Sequence, residues 1–137
     1  MYISNTELRV RYAETDKMGV VYHSNYFVWF ETGRTEYLRV LGYPYSRLEK
    51  EGIMLPVVEC NAKYKKGAQY DDEIIVQTSV SELKGASVTM YYEVIRKETE
   101  ELLTTGYTKH AITDKNLKPL KLKVNNPKLW DALQSRI

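Results

Sequence analysis

Among its 137 residues this chain has one cysteine, four prolines, two histidines and only a small excess of positive charge. A single cysteine, Cys60, excludes a disulfide within the chain and fits a reducing compartment. No apolar run approaches the roughly 20 residues that a bilayer crossing requires. The opening Met1-Tyr2-Ile3-Ser4 lacks the basic start and apolar stretch of a secretory signal, so a soluble cytoplasmic protein is expected. Cys60, His23 and His110 lie far apart in sequence and form no metal motif, so neither metal nor cofactor is expected. No serine stands in a nucleophile-elbow sequence. Twenty Lys and Arg against eighteen Asp and Glu give a net charge of +2, without a long basic run. That balance offers no footing for nucleic acid. Repeats, linkers and low-complexity tracts are absent too, and the length suits one domain spanning residues 1–137.

Tyrosine is the residue in excess, with twelve copies. Tyrosines suit half-buried sheet positions, where the ring packs and the hydroxyl reaches water or a partner. From Glu7 to Tyr12 the apolar residues Leu8, Val10 and Tyr12 alternate with Glu7, Arg9 and Arg11, as in a strand with one wet face. From Asn25 to Leu41 the period changes: Tyr26, Phe27, Trp29, Phe30, Tyr37, Leu38 and Leu41 recur at helical spacing. Ser24 or Asn25 can cap this helix, and Gly42 followed by Pro44 can stop it. Gly33 costs the helix about 1 kcal/mol relative to alanine, which close packing on a sheet would justify. Four further strands follow a short segment at Ser46 to Gly52. Their alternating sets are Val58 to Tyr64, Ile74 to Val80, Val88 to Val94, and a less regular Leu103 to Ile112. Asn126-Pro127 can start a final short helix presenting Leu129, Trp130 and Leu133. Consecutive strands joined by short turns imply an antiparallel sheet, and one long helix can bury its apolar surface only against it. The expected fold is α+β, a curved antiparallel sheet of about five strands wrapped around one long central helix.

The segment between the first strand and the helix carries the chemistry. Asp16 follows the strand, Gly19 allows a turn, and the helix starts near Asn25. That order can set one carboxylate beside the positive end of a helix, where exposed backbone N–H groups can bind an oxyanion. A carboxylate facing oxyanion donors is a minimal kit for acyl transfer. The competing reading of Asp16 is a turn or capping carboxylate.

The run Tyr12-Ala13-Glu14-Thr15-Asp16-Lys17-Met18-Gly19-Val20-Val21-Tyr22-His23-Ser24-Asn25-Tyr26 resembles the signature of the 4-hydroxybenzoyl-CoA thioesterase-like family of hotdog-fold acyl-CoA thioesterases. It looks most like the bacterial branch often associated with the Tol–Pal cell-envelope system, in which a histidine follows the tyrosine. The likeness continues through Phe30 to Tyr37, Val57 to Tyr64 and Ala68 to Asp72. It implies a hotdog fold and hydrolysis of acyl-CoA to a carboxylate and CoA, with Asp16 as nucleophile or general base. It also implies that His23 donates its backbone N–H to the thioester carbonyl. The site would lie at a dimer interface, with dimers pairing into a homotetramer.

Gly19, Tyr22, Tyr26 and Lys84 are the remaining substrate-binding candidates. Gly19 acts through its turn, the tyrosines by lining an acyl pocket or packing the core, and Lys84 by meeting the CoA nucleotide. Lys63, Lys65 and Lys66 are alternative phosphate contacts. Glu31 and Glu36 are competing carboxylates, although each stands three residues before an arginine that could pair with it. His110 falls late in a strand and reads as structural or exposed, and Cys60 as a small buried hydrophobe. Short or medium aliphatic acyl-CoA is the favoured substrate and aryl-CoA the runner-up. A non-catalytic module binding acyl-CoA or acyl carrier protein is the alternative from another class. A hotdog dehydratase ranks below both.

Overall fold

A computed structural model describes all 137 residues. Strand β1 (Ser4–Arg9) leads through a 3-10 turn at Tyr12–Glu14 to helix α1 (Asn25–Leu41), and a short helix α2 (Tyr45–Lys50) follows. Four strands then run in succession, β2 (Val57–Tyr64), β3 (Glu73–Lys84), β4 (Ser87–Arg96) and β5 (Leu102–Ala111). Helices α3 (Leu122–Asn125) and α4 (Pro127–Gln134) close the chain. The strands form one antiparallel sheet in the order β1-β3-β4-β5-β2.

The alternating patterns become sheet faces where expected. Ile74, Val76 and Val80 of β3 and Val88, Met90, Tyr92 and Val94 of β4 are buried. Helix α1, the longest at 17 residues, packs on β3, β1 and β4. Gly33 sits at that contact: a Cβ there would fall 2.5 Å from Thr78 Oγ1 and 2.8 Å from a Val76 methyl. Close approach of helix to sheet therefore accounts for the helical glycine. Gly42 ends α1 in the left-handed conformation, at φ 92°. The Asn126 side chain accepts from the Leu129 N–H at 3.1 Å and caps α4, which buries Leu129 and Leu133.

Several sequence expectations need correction. The first strand ends at Arg9, and Tyr12 sits in the 3-10 turn, 77% exposed. Ser24 occupies the N-cap position of α1 but makes no side-chain capping bond, while the Asn25 side chain donates to the Glu14 carbonyl at 2.9 Å. Cys60 is exposed rather than buried. The reason lies in topology: β2 is an edge strand paired only with β5, and α1 packs chiefly on β3, β1 and β4. Glu36 does pair with Arg39 at 3.2 Å, but Arg34 bonds no carboxylate. Its guanidinium donates instead to the hydroxyls of Tyr45 and Tyr92, each at 3.1 Å.

Tyr92 continues that contact into the core. Its hydroxyl lies 2.6 Å from Thr108 Oγ1, which lies 2.8 Å from His110 Nε2, and His110 Nδ1 lies 3.0 Å from the Leu55 carbonyl. These polar groups on β5 explain why its apolar alternation reads as irregular. Burial pushes the His110 imidazole below its ordinary 6.5, and the Arg34 charge adds to that, against the bond to Leu55. Below about pH 6.5 the unfolded chain takes up a proton that the folded chain resists. The associated stability is complete above that pH and is lost as pH falls through the depressed folded value. Thermal midpoints of the wild type should therefore drop between pH 7 and pH 5. His110→Gln should show a shallower drop, and equal slopes would contradict the assignment.

Candidate active site

The loop from Thr15 to Val21 is a closed unit. Its ends meet in an isolated bridge between Thr15 and Val21. The Asp16 N–H donates to the Val20 carbonyl at 2.9 Å, and the Gly19 N–H to the Asp16 carbonyl at 3.0 Å. Gly19 has φ 80°, a conformation that a side chain would penalise. Within the turn, Asp16 Oδ1 accepts from the Met18 N–H at 2.8 Å. Its second carboxylate oxygen has no hydrogen-bond partner in the chain. One oxygen thus shapes the turn, and the other is free of protein partners.

Asp16, Met18, Val20 and Val21 form one side of a cleft of about 310 Å³. His23 and Tyr26 supply the start of α1, and Tyr64 to Gly67 the opposite wall. Tyr64 donates its hydroxyl to the His23 carbonyl at 3.2 Å. The Tyr26 hydroxyl accepts from the Ala68 N–H at 3.2 Å, and the Val21 N–H donates to the Ala68 carbonyl at 2.8 Å. The walls are thus tied together by one main-chain bond and two tyrosine hydroxyls. The backbone N–H groups of His23 and Ser24, just ahead of the first helical turn, have no acceptor in the chain. Free donors at a helix N-terminus beside a carboxylate are the components acyl transfer needs.

The sequence candidates divide accordingly. Asp16, His23 and Tyr26 meet at this cleft. Tyr26 is 2% exposed, so it packs the core as well as lining the cleft. Tyr22 is half exposed and packs at a tilt of 45° against the His23 ring, with centroids 4.3 Å apart. Lys65 and Lys66 reach the cleft, with Lys66 held by Glu101 at 2.6 Å. Lys84 does not reach it. It pairs with Ser87 at one end of β4, whereas Tyr64 lies across from Thr104 and Val94 near the other. Those positions are ~23 Å apart along the strand. Glu31 lies in a separate groove with Phe27, Val28, Arg34 and Val57. The enclosed apolar void beneath α2 and α4 measures about 10 Å³, too small for a substrate.

Sequence reasoning passed over Glu14. It is 5% exposed, and its carboxylate accepts from the Arg11 N–H and the Trp29 indole N–H, both at 2.8 Å. Its carbonyl accepts from the Tyr22 N–H at 2.8 Å and from the Asn25 side chain at 2.9 Å. The only signal was an acidic residue two places before Asp16.

Residues 10–134 match the profile of the thioesterase-like superfamily. The chain belongs to the thioesterase-like superfamily. YneP of Bacillus subtilis is 41% identical over 124 residues, covering 90% of this chain and 89% of that one. The acyl-CoA thioesterase YbgC of Haemophilus influenzae is 39% identical over 108 residues, 78% of each chain. Among solved structures, the DHNA-CoA thioesterase from Staphylococcus aureus superposes with a TM-score of 0.92 at 40% identity, covering 98% of this chain and 91% of that one. For this thioesterase-like chain, fold and family membership thus agree with the resemblance carried by the Asp16 segment.

Proposed function

We propose that this chain is an acyl-CoA thioester hydrolase in which Asp16 attacks the thioester carbonyl or activates water. The observation that carries the reading is the cleft uniting the Asp16 carboxylate with free backbone N–H groups at the start of α1. A CoA thiolate leaves readily, so the reaction chiefly needs a nucleophile and donors for the developing oxyanion. One such donor is typically worth about 3 kcal/mol. Lys65 at the cleft and exposed Lys63 beside it suit the phosphates of CoA. Short- or medium-chain acyl-CoA is the favoured substrate, supported by the likeness to the YbgC protein. Aryl-CoA is the second reading, favoured by the likeness to the DHNA-CoA thioesterase. The histidine following Tyr22 supports the Tol–Pal-associated branch.

The chain is read as one hotdog domain whose sheet wraps α1, acting in the cytoplasm. Edge strand β2 presents Val57 and Val58, 50% and 59% exposed, and Val28 of α1 is 49% exposed. Unpaired strand edges and clustered apolar side chains invite a second copy, which supports a dimer or dimer of dimers. Acyl carrier protein is an alternative donor of the acyl group.

The test is hydrolysis of an acyl-CoA panel by the wild type, read as released thiol. Turnover ranks the acyl groups, and no turnover on any member would overturn the acyl-CoA reading in favour of a carrier-protein thioester or a binding module. Because His23 contributes its backbone, His23→Ala should slow the reaction by no more than about tenfold, well short of the 10²–10³ typical for deleting an oxyanion donor. A collapse matching that of Asp16→Asn would show that the imidazole itself takes part.

A further inference from the structure

The Asp16 loop closes on itself, so its place relative to the helix start depends on whatever anchors it from outside. A main-chain bond from Val21 to Ala68 holds one flank. On the other flank the side-chain ties from α1 converge on a single residue. Glu14 receives the Tyr22 N–H and the Asn25 side chain at its carbonyl, and the Arg11 N–H and the Trp29 indole at its carboxylate. Those four donors come from the chain before Asp16, the chain entering the helix, and the second turn of the helix itself. Arg11 adds its guanidinium 3.5 Å from the same carboxylate. The buried carboxylate is thereby satisfied, and hydrogen bonds to an ionised acceptor are the stronger kind.

We propose that Glu14 is a positioning residue for the thioesterase reaction: through Trp29 and Asn25 it fixes the Asp16 carboxylate opposite the free N–H groups of His23 and Ser24. This rests on the hydrolase reading above. Glu14 lies outside the cleft lining. Its effect is on geometry, and small misplacements of a reacting group cost large factors in rate. The expected signature falls on kcat, because the substrate-binding walls from Tyr64 to Gly67 do not depend on it.

Two variants test the anchor. Glu14→Gln offers one oxygen to two N–H donors, so either the Trp29 indole or the Arg11 N–H meets an amide NH2; Trp29→Phe removes the indole donor while leaving Glu14 in place. Each is measured with the acyl-CoA substrate that the wild type hydrolyses best, and again in an Asp16→Asn background. Glu14→Gln should lower kcat about tenfold with KM within twofold, and Trp29→Phe should lower kcat severalfold in the same manner. In the Asp16→Asn background neither should lower the residual rate by more than twofold, because there is no carboxylate left to position. Undiminished kcat in both variants would overturn the proposal. So would the same proportional loss with and without Asp16, which marks a merely structural residue. If Glu14→Gln does not fold, Trp29→Phe decides alone. A wild type without turnover would instead count against the hydrolase reading itself.

Discussion

Asp16→Asn is expected to reduce acyl-CoA hydrolysis by about 10²–10⁴-fold, the range general-base or nucleophilic groups supply. The substitution is well matched to the structure. Asparagine keeps an oxygen to accept the Met18 N–H, so the turn through Gly19 and the loop closure by Val20 stay intact. What is lost is the charge on the unpartnered oxygen. The thermal midpoint should therefore stay close to that of the wild type while kcat collapses. Retention of more than a tenth of the activity would remove Asp16 from the chemistry. A single-turnover experiment in oxygen-18 water divides the two mechanisms. Label entering the Asp16 carboxylate marks an anhydride intermediate, and label confined to the product acid favours water activation.

The largest stability effect is expected at Gly106 of β5. A Cβ there would strike the Asn61 carbonyl oxygen and fall 2.6 and 2.7 Å from two ring carbons of Phe30. Neither neighbour can retreat easily. The Asn61 carbonyl belongs to the β2 backbone, and the Phe30 ring lies stacked on Tyr92 with centroids 4.4 Å apart and planes 5° from parallel. Overpacking of this kind costs about 1–3 kcal/mol, partly offset by the lower unfolded-state entropy of alanine. With the obstruction partly backbone, Gly106→Ala should lose about 2 kcal/mol and lower the thermal midpoint by roughly 6–10 °C. Gly85→Ala is the control, since nothing lies within 4 Å of its added Cβ. Equal midpoints for the two variants, followed by circular dichroism, would refute the packing.

The sequence disclosed what short-range physics decides. Alternation in β3 and β4, helical spacing from Tyr26 to Leu41, the stop at Gly42 and the cap at Asn126 are all set by neighbours within a few residues. Exposure of Cys60 was not legible, because an alternating strand looks the same at the centre of a sheet and at its edge. Nor was the fate of Arg34, whose partners Tyr45 and Tyr92 are distant in sequence, while Glu31 three residues away looked sufficient. At the candidate site, the order of Asp16, the glycine turn and the helix start could be read directly. The distance of Lys84 from it could not, since that depends on which end of the β3–β4 hairpin faces the cleft. Glu14 escaped for a similar reason: its meaning lies in Trp29, fifteen residues on.

The polar chain through the core has a direction. Arg34 can only donate, and the Leu55 carbonyl can only accept. Arg34 therefore donates to the Tyr92 hydroxyl, Tyr92 to Thr108, and Thr108 to His110 Nε2, which leaves Nδ1 carrying the proton given to Leu55. One tautomer of His110 satisfies every member. A second proton on Nε2 would leave the Thr108 hydroxyl accepting from both Tyr92 and His110, with its own hydrogen directed at neither. The line of dipoles is polarised from both ends, so bond direction works alongside burial to lower the proton affinity of the imidazole.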